Sequence, residues 1–239
     1  SRPIADSNDF TSLLSVQGKL FSVAQFESQP GAMYLTELTS EPQTGKLTAV
    51  STKPLDLSKI HGIWNPCAGT VTPWKSHLSS EEYEPDAKKG QTAAATMATF
   101  FGGGSVQGGD PAKPNPYHYG FPVEVTVTSA SGDYSVAKHY SMGRFAHELS
   151  YVMPDNKTVY ESDDGTNVGL YLYVADAEGD LTAGTLYAAK WKQTSEPRVS
   201  ALATADIEFV KLGHATDAEI EETVATGLTY VGGLAFHPS

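Results

Sequence analysis

The clearest indication of the fold comes from residues 10–50, FTSLLSVQGKLFSVAQFESQPGAMYLTELTSEPQTGKLTAV. This stretch contains four short runs rich in apolar residues, and turns with glycine or proline separate most of them. Strands joined by such short turns pair into an antiparallel meander. A four-stranded meander is the unit from which β-propeller blades are built. The predicted strands cover 10–16, 20–26, 33–38 and 47–50.

A similar succession of strands and turns is predicted for residues 122–192. We therefore expect a single all-β domain over residues 1–239, built as a β-propeller. The predicted strands supply about three blades, whereas a propeller needs at least four. For this reason we expect an incomplete, N-terminal portion of a larger propeller, completed by a missing C-terminal portion or a partner chain. The strands of this second region are predicted at 123–128, 134–140, 158–162, 169–174 and 184–191.

Residues 81–121 differ from both β-rich regions and are predicted to form an inserted loop and helical region. Residues 91–101, QTAAATMATFF, contain helix-forming alanines and predict a short helix. The glycine-rich run at 102–116 lacks the ending of a phosphate-binding P-loop and is expected to be a surface loop. A further helix is predicted at 217–226, with acidic residues near its start, where they suit the helix dipole.

Composition and charge exclude several classes of function. The net charge of −12 argues against nucleic acid and anionic membranes as partners. No apolar stretch is long enough for a spanning helix, so we expect no membrane insertion. No signal peptide is expected at the SRPI start; a mature exported protein whose leader had been removed would look the same. The acidic excess has two readings, a soluble surface or carboxylates that bind metal.

Residues 66–82, PCAGTVTPWKSHLSSEE, carry the residues with the clearest chemistry. They contain the only cysteine, Cys67, and end in the tandem carboxylates Glu81 and Glu82. A lone thiol cannot form a disulfide within its own chain, so Cys67 is either a buried filler or a soft metal ligand. A mixed thiolate and carboxylate set suits iron better than it suits calcium or magnesium alone. From the residues alone, both roles of Cys67 remain open.

This segment resembles the motif of the PhoX-type alkaline phosphatases, a family of β-propeller proteins. Three downstream segments are also similar to motifs of that family and follow in the same order: YGFPVEV at 119–125, MGRFAHE at 142–148, and VYESDDG at 159–165 with VGLYLYV at 168–174. The chain departs from the family at Ser80, where many members have a second cysteine. The positions of the first motif in register are Cys67, Gly69, Thr72, Pro73, Trp74, Leu78, Glu81 and Glu82.

The resemblance implies hydrolysis of small phosphate monoesters at alkaline pH by a protein that binds iron and calcium. Carried over to this sequence, it makes Cys67 a ligand of iron and Glu82 a ligand of calcium. It makes Glu81 a second ligand or an orienting neighbour, and Glu148 another carboxylate of the metal cluster. It also implies export to the periplasm or the cell exterior.

Four further residues are candidates with open alternatives. Asp163 and Asp164 follow a strand and either reach calcium or form an ordinary hairpin turn. Arg144 is the candidate catalytic residue that contacts phosphate, or it is the structural partner of a carboxylate. His147 and Glu148 alternate on a predicted strand, so we expect Glu148 in the site and His147 outside it. Asn8 belongs to a short segment similar to one near the family's active site.

Two other functions are compatible with the same residues. One is a non-catalytic propeller that binds or supports other proteins in a cell-surface assembly. The other is an ester or lactone hydrolase that uses calcium alone and does not need the Cys67 thiol. The family carries further metal and phosphate ligands on later blades, and they have no counterparts in this sequence.

Overall fold

The structure, a computed structural model, describes residues 7–101, 114–195, 204–226, 229–231 and 234–236. Most of the predicted loop at 102–116 lies outside these residues. The described chain forms three antiparallel sheets, which we call sheets I, II and III, and a separate two-stranded hairpin. None of the described helices is both long and apolar enough to cross a membrane.

Sheet I is the predicted meander, with its strands in the order β1-β2-β3-β4. Its side chains alternate in burial, as Phe21 and Val23 on the second strand show, because neighbouring residues of a strand point to opposite faces. The strand prediction for residues 10–50 is confirmed. The strands are β1 Asn8–Val16, β2 Lys19–Phe26, β3 Ala32–Ser40 and β4 Leu47–Pro54.

Sheet II has the order β5-β6-β7-β8 and takes its first two strands from the cysteine motif. Residues Ala87–Met97 form 3-10 turns, so the predicted helix at 91–101 is α-helical only over Ala98–Phe101. Gly90 and Ala94 have non-helical backbone angles that interrupt the regular turns. The elements are β5 Pro66–Val71, β6 His77–Glu81, 3-10 turns Ser58–Ile60, Ala87–Met97 and Pro116–His118, α1 Ala98–Phe101, β7 Pro122–Val127 and β8 Tyr134–Lys138.

Sheet III has five strands in the order β13-β12-β11-β10-β9. Its last strand in sequence, β13, was not predicted, whereas the helix α2 begins and ends as expected. A two-stranded hairpin of β14 and β15 follows α2. The elements are the 3-10 turn Tyr140–Met142, β9 His147–Val152, β10 Thr158–Asp163, β11 Leu170–Ala177, β12 Asp180–Gln193, β13 Ala205–Thr216, α2 Asp217–Thr226, β14 Thr229–Val231 and β15 Leu234–Phe236.

Separate hydrophobic cores hold consecutive sheets together. The core between sheets I and II includes Phe21, Val23 and Val123, all nearly inaccessible to solvent. The core between sheets II and III includes Leu78 and Tyr173. Burying one such side chain contributes about 1.5–3 kcal/mol. Successive antiparallel sheets that pack face to face are the blades of a propeller, so the all-β, propeller-type prediction is confirmed. The single-domain assignment with an insertion at 81–121 stays a prediction.

The first strand of each sheet lies next to the first strand of the following sheet. Strand β5 contacts β1 on one side and β9 on the other. In a propeller the innermost strands surround the central axis in this way. Side chains that leave β1, β5 and β9 toward this axis therefore meet, although they lie far apart in sequence.

Candidate metal centre

One thiol and two carboxylates meet where β5 and β9 come together. Cys67 lies on β5, Glu148 on β9, and Glu82 directly follows β6. One ligand atom from each of the three lies within 4.8 Å of the other two. We call these three residues the thiol–carboxylate cluster. Its spacing is compatible with a shared metal ion, because ligands of one ion must lie this close together.

A second group of possible ligands shares the same thiol. Asp9 on β1 and Glu27 after β2 each bring a carboxylate oxygen within 4.8 Å of the other and of Cys67. The Asp9 Oδ2 atom lies 4.0 Å from the Cys67 Sγ atom. Asn65 links the two groups, since its Nδ2 lies 3.3 Å from Glu27 Oε1 and 3.4 Å from Glu82 Oε2. Sheets I, II and III thus all contribute residues to the two groups of possible ligands.

Burial and neighbouring acidic groups raise the pKa values of Glu82 and Cys67. Burial, the neighbouring Asp164 and the charge of Glu148 raise the pKa of Glu82 to about 7, although its contact with the Cys67 thiol acts in the opposite direction. Burial and the charges of Glu82, Glu148 and Asp9 raise the pKa of the Cys67 thiol. None of the ion pairs among the described residues includes a member of the cluster. A bound cation would relieve this crowding of like charge.

Glu81 lies outside the cluster, although it was expected to be a metal ligand or an orienting neighbour. Its Oε1 accepts hydrogen bonds from the Trp64 backbone N at 2.9 Å and from Lys138 Nζ at 2.9 Å. Its Oε2 accepts from the backbone N atoms of Gly120 and Phe121, at 2.8 and 3.1 Å. Glu81 and Lys138 are both fully buried. The surroundings of Glu81 assign it a structural role, since four donors already occupy its carboxylate.

The tandem aspartates at the end of β10 also have different surroundings. Asp164 accepts a hydrogen bond from the Tyr83 hydroxyl and lies beside Glu82. The Oδ2 of Asp163 accepts a hydrogen bond from the Gly169 backbone N at 3.1 Å, which closes the turn between β10 and β11. Only Asp164 therefore adjoins the thiol–carboxylate cluster. The calcium-binding role of either residue stays a prediction.

His147 and Glu148 lie on opposite faces of β9, as their alternation predicts. The His147 side chain is buried, and its Nε2 donates to the Gly143 carbonyl at 2.9 Å. Its Nδ1 faces Glu161 Oε1 at 3.7 Å, away from the cluster. Burial lowers the pKa of His147 to about 3, so the ring is neutral at ordinary pH.

Arg144 does not meet the cluster, and the structure surrounds it with backbone carbonyls. Its Nη2 donates to the carbonyls of Pro85 and Pro116, at 2.7 and 3.1 Å. Its guanidinium carbon lies 5.4 Å from the centre of the Tyr117 ring. Among the described residues Arg144 forms no ion pair with a carboxylate, which was the alternative to a contact with phosphate, and the contact with phosphate stays a prediction.

A buried hydrogen-bond chain fixes the backbone at the thiol. The Gln25 amide donates to the Cys67 carbonyl, which leaves the Gln25 oxygen to face His77 Nε2 at 2.9 Å. His77 Nε2 is therefore the donor, and His77 Nδ1 accepts from the Ser12 hydroxyl at 3.0 Å. Burial lowers the pKa of His77 to about 3, so this tautomer persists as a neutral ring.

Ser80, where many family members have a second cysteine, links strands around the cluster. Its hydroxyl lies within hydrogen-bonding distance of the Ala68 carbonyl and of the Glu148 carbonyl, the latter at 2.7 Å. Ser80 thereby holds β9 against the β5–β6 hairpin. A serine here positions the backbone of Glu148 and does not add a ligand to the cluster.

Sequence reasoning did not identify Glu27, Asn65 or Tyr83 as neighbours of the cluster, and it noted Asp9 only as part of a short similar segment. Asp9 directly follows Asn8, whose Nδ2 donates to the Gln25 carbonyl at 3.2 Å. Glu27 follows a strand and precedes a proline turn, a position with no sequence signal for metal binding. These residues meet the cluster only because sheet I packs on sheet II.

The fold and the cluster define a propeller-type protein with a candidate metal centre at its axis. The family model for alkaline phosphatase PhoX matches residues 24–231, and the chain belongs to this family. The resemblance found in the motifs is thereby confirmed. No curated protein sequence matches the chain.

A solved structure, Pseudomonas fluorescens PhoX in complex with vanadate, a transition state analogue, is similar to this chain. The TM-score is 0.60, the sequence identity is 18%, and the similarity covers 93% of this chain and 54% of that chain. At this identity the likeness supports the fold. The chain spans about half the length of that structure.

Proposed function

We propose that this protein is a metal-dependent phosphomonoesterase of the PhoX alkaline phosphatase type, which uses iron and calcium. The observation that carries the proposal is the thiol–carboxylate cluster on the innermost strands of a chain that belongs to this family. The substrates would be small-molecule phosphate monoesters. The protein would act in the periplasm or outside the cell, and the net charge of −12 disfavours nucleic acid as a partner.

The residues of the site fit such metal ions by their chemistry. Cys67 would hold iron, because a thiolate is a soft ligand. Glu82, Glu148 and Asp164 would hold calcium, which prefers carboxylate oxygens. The second group, Asp9 and Glu27 with Cys67, offers further carboxylates on the other side of the thiol. Raised pKa values of Glu82 and Cys67 support the same assignment, since a cation favours both deprotonated groups.

The bound ions would neutralise the charge that develops on a phosphoryl group during its transfer. The protein's own residues fix the ligands in place. Asn65 contacts Glu82, and Tyr83 restrains Asp164. Gln25 and His77 restrain the backbone of Cys67. Such outer partners keep ligands in the required orientation and are costly to lose, typically about 10–100-fold in metal affinity or activity.

Hydrolysis of p-nitrophenyl phosphate at alkaline pH tests the proposal. The purified protein is supplied with iron and calcium, and its kcat/KM is compared with that of Cys67→Ser. We expect the variant to lose activity by about 100-fold or more and to lose its iron, because a ligand matters more than its outer partners. Asp163→Asn is the matched control for Asp164→Asn, and only the Asp164 variant should lose calcium and activity.

Two results would contradict the proposal. Hydrolysis of another ester or a lactone in preference to p-nitrophenyl phosphate, with calcium alone and unchanged in Cys67→Ser, would favour a calcium-dependent ester or lactone hydrolase. Lack of phosphatase activity in a folded, metal-loaded protein would favour a non-catalytic binding or structural module of a cell-surface assembly.

A further inference from the structure

A cavity lies apart from the thiol–carboxylate cluster. It is a groove of about 900 Å³ between residues 84–88, the end of β13 and the helix α2. None of Cys67, Glu82 and Glu148 lines it. Its volume falls within the range of small-molecule sites, about 300–1,000 Å³. We call it the α2 groove.

The walls of the α2 groove are mainly apolar. The lining includes Phe121, Tyr140 and Leu186, together with Ile220 and Val224 of α2. Phe121 and Tyr140 pack against each other, with ring centres 4.7 Å apart, and Val224 belongs to the same hydrophobic cluster. The groove therefore has rigid aromatic and aliphatic surfaces, as binding pockets for apolar groups do.

Two cations line the groove, the exposed Lys88 and the more deeply buried guanidinium of Arg144. Two backbone carbonyls and the Tyr117 ring surround the Arg144 guanidinium, and no described carboxylate lies within 4.0 Å of its nitrogen atoms. The Arg144 Nε and the Tyr117 hydroxyl are buried without a hydrogen-bond partner. A largely buried cation without an adjacent anion is unfavourable, and a ligand that supplies the anion would compensate it.

The charge of Glu84 offers Arg144 only partial compensation. Glu84 also lines the groove, and burial raises its pKa, although the charge of Arg144 acts in the opposite direction. Asp86, a further lining residue, is exposed to solvent, where water screens its charge. A ligand anion in the groove would thus meet the Arg144 guanidinium and the Glu84 carboxyl group, whose raised pKa weakens its negative charge.

We propose that the α2 groove binds an organic anion with an apolar body, whose charged head group meets Arg144. The apolar body would lie along Phe121, Leu186 and the apolar side of α2. This site would be separate from the metal centre, and the proposal does not depend on phosphatase activity. It identifies Arg144 as a binding residue for an anion other than the reacting phosphate.

Calorimetric titration with octanoate and 1-octanol tests this assignment, because the two probes share one chain length and differ in charge. Wild-type protein should bind octanoate more tightly than octanol. Arg144→Gln should weaken octanoate by about tenfold or more, the effect of losing one bond to a charged group, and leave octanol unchanged. Glu84→Gln should tighten octanoate, since it removes the opposing charge.

Two further variants keep the test decisive. Ala215→Phe should fill the groove and weaken both probes while Arg144 stays intact, which covers the case that Arg144→Gln does not fold. Cys67→Ser should bind octanoate as the wild type does. Equal affinity for octanoate and octanol, binding of neither probe, or loss of octanoate binding in Cys67→Ser would each overturn the proposal.

Discussion

Glu81 and Glu82 are neighbours in sequence but belong to two different regions of the molecule. Glu81 is buried beside Lys138 and accepts four hydrogen bonds from donors within 3.1 Å. Glu82 lies with Cys67 and Glu148, and no described cation pairs with it. The fold therefore compensates the charge of Glu81, whereas the charge of Glu82 remains available to bind a cation.

The surroundings of Glu81 and Glu82 show how a structural carboxylate differs from a candidate metal ligand. A buried charge that stabilises a fold is satisfied by donors on several elements, as Glu81 is by Trp64, Gly120 and Lys138. A group of acids whose pKa values are raised by burial and by neighbouring negative charge, as those of Glu82 and Cys67 are, is unfavourable in its charged form unless a cation joins it. The tandem acids of one motif thus divide into a folding role and a binding role.

The largest expected effect is a loss of stability when Glu81 is deprived of its buried cation. Lys138→Met leaves the Glu81 carboxylate buried without its cation and should lower the free energy of unfolding by about 3–5 kcal/mol. Urea denaturation of the wild type and the variant measures this loss. A change below about 1 kcal/mol would show that Glu81 is not held as a structural charge.

A second buried cation should give the protein a distinct pH dependence. His139 lies 3.0 Å from Glu124 on one side and 3.0 Å from Asp217 on the other. Although burial lowers its pKa, hydrogen bonds and charge from these two carboxylates raise it to about 9. The folded pKa exceeds the unfolded value near 6.5, so this stabilisation is complete below pH 6.5 and is lost as the pH rises through 9.

Unfolding of the wild type and His139→Gln from pH 6 to pH 10 checks this expectation. The wild type should lose about 3 kcal/mol over this range, corresponding to the raised pKa, and the variant should lose less. The groups whose charge acts on His139 are Glu124, Asp217, Asp180 and Glu161. An identical pH dependence in both proteins would contradict the role of His139 as the cation that joins Asp217 of α2 to Glu124 of sheet II.

The smallest expected effect concerns Glu82 in metal-free protein. Its folded pKa of about 7 lies above the ordinary value of 4.5. The associated stability is therefore present below pH 4.5 and lost as the pH rises to 7. Thermal unfolding of the chelator-treated protein should show this decline, and Glu82→Gln should remove it. A decline of equal size in the variant would assign it to other groups.

Local sequence pattern was sufficient for much of the fold. The meander of sheet I follows from apolar runs separated by turns, and the start of α2 follows from its acidic first turn. Strand β13 was missed because its exposed residues, such as Glu208 and Lys211, conceal the apolar pattern. The 3-10 turns replaced the predicted helix because alanine content could not reveal the interruptions at Gly90 and Ala94.

The site was predictable only where a motif marked it. Cys67 and Glu148 were found through motifs, and alternation placed His147 on the other face of β9. The same alternation, applied to Glu81 and Glu82, would have separated these two carboxylates as well. Asp9 and Glu27 depend on how sheet I docks against sheet II, and this contact has no local sequence pattern.

The metal content of purified wild type, Glu82→Gln and Glu81→Gln, measured by mass spectrometry on folded protein, tests the central claim most directly. We expect iron and calcium in the wild type and in Glu81→Gln, because Glu81 is not part of the cluster. Glu82→Gln should lose calcium, because an amide replaces a charged ligand at nearly the same shape. Equal metal content in all three proteins, or a loss confined to Glu81→Gln, would contradict the assignment of the cluster.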